Sequence, residues 1–166
     1  LHLFSKREFF ETVHATQAER GAKGFSCWDQ FVAMLFCQLG QAHSLREICR
    51  GLASCFGKAK HLGLHAAPKR STLSYANEHR PWQLYERVFY QLLSQCRTLD
   101  FGKRKFRFRN KLFSLDATVI ELCASLFDWA KFRQTKGAVK LHLLLDHDGY
   151  LPVFAHITEG KIHEVT

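Results

Sequence analysis

The stretch KLFSLDATVIEL, residues 111–122, holds one carboxylate, Asp116, inside a run that otherwise reads as a buried β-strand. An unpaired carboxylate in such a strand is costly, because the charged form gives up hydration that apolar neighbours do not replace. Ser114 and Thr118 lie two residues to either side, so alternation puts all three on one face as a small polar island. Taken alone, Asp116 reads as a hydrogen-bonded structural residue or as a ligand. Other acids make poor partners for it. Glu121 falls on the opposite face, Asp146 and Asp148 sit at a predicted turn, and Glu159 and Glu164 come at or beyond the end of a later strand. Lys136, Lys140, His142, His156 and His163 read as residues lining a DNA path or, equally, as surface or satisfied strand residues, and none is assigned catalysis.

Two basic stretches carry the other candidate chemistry. In PKRSTLSYANEHR, residues 68–80, Lys69, Arg70, Ser71 and Thr72 open a short polar helix that Ser71 or Thr72 would cap. A helix N-terminus with hydroxyl and cationic side chains suits phosphates and base edges, as in a recognition helix. The connection from Gly57 to Pro68 is longer than a helix-turn-helix turn, so a solvated basic loop is the alternative. In FGKRKFRFRNK, residues 101–111, Lys103, Arg104, Lys105, Arg107, Arg109 and Lys111 occur without an acid, and Phe106 and Phe108 alternate with the bases. Either a strand with one phosphate-binding face or a charged, aggregation-resistant edge explains that pattern.

The elements that must hold these residues divide at about residue 98. Before it the periodicity is helical. Ser5 with Glu8, Ser26 with Asp29, and Ser44 with Glu47 have N-capping spacing. An apolar face follows at Phe31, Val32, Met34, Leu35, Phe36 and Leu39, closed by Gly40, and a stripe at Leu45, Ile48, Cys49 and Leu52, ended by Phe56-Gly57. Pro81 suits the first position of a last helix that ends near Arg97. After Asp100 the period is two. Phe113 to Ile120 predicts one strand, and Val139 to Leu145 and Leu151 to Ile157 predict a hairpin around Asp148-Gly149, with a loop from Cys123 to Thr135 between. The expectation is an α+β chain: an all-helical domain over residues 1–98, then an antiparallel three-stranded segment over residues 99–166.

Composition restricts the partners. With 24 Lys plus Arg against 15 Asp plus Glu, a formal charge of +9 favours a polyanion. A hydrophobic fraction of 46% makes disorder a poor reading. Six cysteines without a C-x-x-C pair disfavour a zinc ribbon, and they read as reduced, buried thiols of a soluble cytoplasmic protein. No apolar run reaches the roughly 18 residues of a membrane span.

The residues from Ser114 onward also carry a family resemblance. Asp116-x-Thr118, Lys136-Gly137-x-x-Lys140-x-His142, Gly149-x-x-Pro152 and Thr158-x-Gly160-x-x-His163 together resemble the first half of the catalytic domain of DDE transposases of bacterial insertion sequences. SLREICRGL and PKRSTLSYANEHR look like the helical domain preceding that core in one branch. The resemblance implies a ribonuclease H-like core, with Asp116 as the first of three carboxylates holding two Mg²⁺ or Mn²⁺ ions for phosphodiester cleavage and strand transfer. It further implies double-stranded DNA, the element's terminal inverted repeats and target, as partner, and a homodimer as the complete protein. The second Asp and the Glu of that triad are expected beyond this chain, leaving it inactive alone. A non-enzymatic DNA-binding regulator is the rival reading.

Overall fold

A computed structural model describes residues 5–99, 110–122, 131–133, 136–147 and 150–159. The chain divides into two compact units, residues 1–92 and 93–166.

The first unit is helical: α1 (Lys6–Thr16), α2 (Cys27–Leu39), α3 (Leu45–Ser54), the single turn α4 (Phe56–Ala59) running into a 3-10 turn (Lys60–Leu62), α5 (Arg70–His79), and α6 (Gln83–Thr98), which runs on into the second unit. The serine caps act as their spacing predicts. Ser5 Oγ accepts from the Glu8 amide at 3.3 Å, and Ser44 Oγ from the Glu47 amide at 3.2 Å. At Ser26 the box is reciprocal: its hydroxyl accepts from the Asp29 amide at 3.0 Å while Asp29 Oδ2 accepts from the Ser26 amide at 3.0 Å. Glu47 reaches one residue further and accepts from the His43 amide at 2.8 Å, which holds its carboxyl below the usual range.

The core forms where these faces meet. Phe9, Trp28 and Phe31 pack ring to ring with centroids 5.2–5.7 Å apart, and Val32, Ile48, Leu52, Leu73, Leu84 and Val88 close around them. Edge-to-face and tilted aromatic contacts of this kind add to the area they bury. Trp28 buries its ring but donates Nε1–H to the Leu62 carbonyl at 2.7 Å, so the indole keeps its hydrogen bond. Gln91 Nε2 donates to Thr12 Oγ1 at 2.9 Å, tying α6 to α1.

Several local expectations are corrected. Leu39 is 78% exposed, because the buried face of α2 is set by Cys27, Trp28, Asp29, Gln30, Val32 and Ala33. Gly40 ends α2 without a left-handed backbone, at φ −89°, and Gln41 takes the positive φ instead. What glycine supplies at position 40 is room, since a Cβ there would stand 2.9 Å from the Phe36 carbonyl oxygen. The connection after Gly57 is partly helical, α4 and the 3-10 turn taking its first half. Pro81 precedes α6 rather than opening it, and its carbonyl accepts the Leu84 amide at 3.2 Å. Among the described thiols only Cys27 is buried, Cys37, Cys49 and Cys96 are half-buried and Cys55 is exposed; Cys123 lies outside the described residues.

The second unit contains an antiparallel sheet: β1 (Phe113–Leu122), the short β2 (Lys131–Arg133), β3 (Lys136–Asp146) and β4 (Leu151–Glu159). β3 is central and pairs with all three others. Three long strands are as the alternation predicts, while Lys131 and Arg133, expected in a loop, form β2 against Gly137 and Lys136. The register of β4 shifts between Leu144 and Leu145, where Pro152 stands opposite Leu145. Proline has no N–H for the ladder, so a bulge falls there, and it moves Leu151 off the face that carries Ala155 and Ile157. Arg97 Nη2 donates to the Pro152 and Val153 carbonyls at 3.3 and 3.1 Å, satisfying the irregular backbone.

Candidate nucleic-acid interface and the Asp116 strand

The start of α5 is fixed by the residues around it. Leu64 and Pro68 are buried before it, and Leu73 and Ala76 turn inward within it, so Lys69, Arg70 and Ser71 are left exposed and Thr72 half-buried. Helical geometry begins at Arg70, with Lys69 as the extended N-cap residue at φ −75° and ψ 147°. Ser71 and Thr72 therefore lie inside the first turn, and neither is the cap that the sequence suggested. The Lys69 side chain makes no capping hydrogen bond. Backbone amides at a helix start point along its axis and carry partial positive charge, which here coincides with the Lys69 and Arg70 cations.

At the other end of α5, Arg80 holds the helix against α2. Its guanidinium donates from Nη1 to the Ser26 carbonyl and to Gln30 Oε1, each at 2.9 Å, and from Nη2 to the Phe25 carbonyl, with the Phe25 ring 5.4 Å away. Gln30, itself 1% exposed, donates onward to Asn77 Oδ1 at 2.6 Å. The sequence reading missed this network, in which a buried glutamine one turn into α2 meets Asn77 and Arg80 three residues apart. The only sequence signal was a polar residue inside an apolar helical face.

The strand register puts Ser114, Asp116, Thr118 and Ile120 on one face of β1, opposite Leu145, Leu143, Leu141 and Val139 of β3. The polar island exists as expected, but Asp116 and Thr118 are exposed and Ser114 half-buried. The desolvation cost that drew attention to Asp116 does not arise, because its carboxylate meets solvent. Ser114 Oγ lies 2.5 Å from His147 Nε2. On the other face, His142 Nε2 lies 3.0 Å from Thr158 Oγ1, which joins two residues of the sequence motifs across β3 and β4. No group of three or more His, Cys, Asp and Glu side chains able to hold a metal gathers among the described residues. Lys103, Arg104, Lys105, Arg107 and Arg109 lie outside the described residues, as do Gly149, Gly160 and His163. No helix among those described is long and apolar enough to cross a membrane.

Comparison with protein families matches residues 1–65 to the family described as Domain of unknown function (DUF4372). That match covers α1 to the 3-10 turn and ends before α5. No curated protein and no solved structure matches the chain.

Proposed function

We propose that this chain serves DNA transposition, its helical unit binding DNA and its sheet supplying Asp116 as one carboxylate of a phosphodiester-cleaving and strand-joining site of the parent protein. The observation that carries the reading is the position of Asp116. It is the fourth of the ten residues of the first strand of an antiparallel sheet, exposed, with a hydroxyl two residues to each side. That strand order is compatible with the opening of a ribonuclease H-like core. The match at residues 1–65 adds support, since this domain is found in transposase-like proteins.

A pair of Mg²⁺ or Mn²⁺ ions needs several oxygen ligands, carboxylates first. The described residues bring one carboxylate and two hydroxyls to this face of β1, with Leu143 opposite Asp116. They do not make a two-ion site by themselves, and no catalytic step is assigned to them. A lone carboxylate on β1 and, in the other unit, a cationic start of α5 together favour a second reading: a DNA-binding regulator without chemistry.

Two measurements separate these readings. Binding to duplexes from the parent element's terminal repeats should weaken linearly in log K against log salt. Replacing Lys69 and Arg70 together with alanine should lower the slope by about 1.8, at ~0.9 per phosphate contact. In the full-length protein, which this reading takes to act as a homodimer, Mg²⁺-dependent nicking should vanish with Asp116→Asn while DNA affinity stays. Nicking that survives Asp116→Asn overturns the enzymatic reading, and wild-type protein that binds but never nicks leaves the regulator.

A further inference from the structure

A cleft of about 330 Å³ opens between the α1–α2 connection and α5, running along the helix from Thr72 in its first turn to Arg80 and touching neither Lys69 nor Arg70. Its volume is at the lower end of ligand clefts, roughly 300–1,000 Å³. Arg20 and Lys23 stand on the connection side, Phe25 at its end, and Tyr75 and His79 on the helix, and no acidic residue lines it. Neither Arg20 nor Lys23 makes an ion pair among the described residues. Arg80 also borders the cleft, but its guanidinium is committed to Ser26, Gln30 and Phe25.

The helix side of the cleft is an aromatic platform. Tyr75 and His79, one turn apart, stack with centroids 3.8 Å apart and planes 17° from parallel. His79 Nδ1 lies 3.0 Å from the Tyr75 carbonyl, and since a carbonyl only accepts, Nδ1 carries the hydrogen and fixes the ring. Tyr75 is nonetheless 64% exposed. An ordered, exposed aromatic beside unpaired cations is the combination that binds a strand of nucleic acid through one base and its phosphate. Opposite it the connection turns at Gly21 and Gly24, at φ +75° and +82°, with nothing within 4 Å of where a Cβ would stand. Those turns leave the mouth clear.

We propose that this cleft takes one unstacked nucleotide of a nucleic-acid strand, its base on the Tyr75–His79 platform and its phosphate on Arg20 and Lys23. The proposal rests on the nucleic-acid reading above and adds a single-strand subsite to it. The test is fluorescence anisotropy of the 166-residue chain with three labelled probes: a thymine decamer, an abasic decamer of equal charge, and a terminal-repeat duplex. Wild type should prefer the thymine decamer over the abasic one by about tenfold, the scale of one base–aromatic stack. Tyr75→Ala should erase that preference and leave abasic binding unchanged, while Tyr75→Phe keeps it. Arg20→Ala with Lys23→Ala should weaken both decamers. Equal binding of the decamers by wild type, or a preference that survives Tyr75→Ala, overturns the proposal. If duplex binding persists in either of those cases, the wider reading stands without this subsite; if no probe binds, both fail.

Discussion

Single residues in this chain are set by burial more than by local sequence. Cys27 is the clearest case. It opens α2 at zero exposure, with its amide donating to Glu19 Oε1 at 2.5 Å. Burial pushes its thiol up from 9.0 to about 11, Arg80 opposing and Glu19 adding. The folded state therefore holds this proton more tightly than the unfolded chain does. The stability it contributes is whole below about pH 9 and is lost as pH rises towards 11. Urea midpoints measured across that window should fall more steeply for wild type than for Cys27→Ala, whereas equal slopes would mean that burial does not hold the proton. Asp116 is the contrary case. The sequence identified its hydroxyl neighbours correctly because alternation is a property of the strand itself, yet it placed the carboxylate in a buried setting. Exposure depends on what covers a face, and a single strand carries no record of that.

At the scale of elements, capping and periodicity were the legible part. Ser5, Ser26 and Ser44 cap where their spacing puts them, since each bond closes within four residues. The start of α5 was misplaced because buried Pro68 and Leu73 fix the frame, and the hydroxyls of Ser71 and Thr72 fall where that frame leaves them. Long-range polar contacts were illegible for the same reason: Gln30, Asn77 and Arg80 meet only once α2 and α5 pack. Their energetic weight is testable. Arg80→Met keeps the stem but removes donors to two carbonyls and to Gln30 Oε1, leaving polar groups at a buried interface short of partners. The expected loss is about 2–4 kcal/mol, since bonds to a charged group contribute more than neutral ones and orphaned acceptors add a penalty. An unchanged urea midpoint would reduce the network to packing.

Across the whole molecule the helical unit and the sheet differ in how completely they close. Phe9, Trp28, Val32, Ile48, Leu52, Leu73, Leu84 and Val88 form one cluster whose members all precede residue 93. In the sheet, by contrast, burial among the described residues is confined to Ala138 and Val139 at one end of β3, while Leu115 and Ile157, on opposite faces, are 58% and 60% exposed, so each face is covered only in part. A closed core can fold without a partner layer, whereas a sheet covered only in part gains less burial against its ordering entropy. A polypeptide of residues 1–99, which keeps α6 whole, should therefore fold alone. It should give helical circular dichroism and one cooperative melt within about 8 °C of the helical transition in the full chain. For a domain of this size that interval corresponds to ~1–2 kcal/mol, the most that the last turns of α6 beyond Leu93 should contribute once Arg97 loses its bonds to the Pro152 and Val153 carbonyls. A gradual, non-cooperative melt of that polypeptide would mean that the helices depend on the sheet for their core, and the boundary between the units would have to be redrawn.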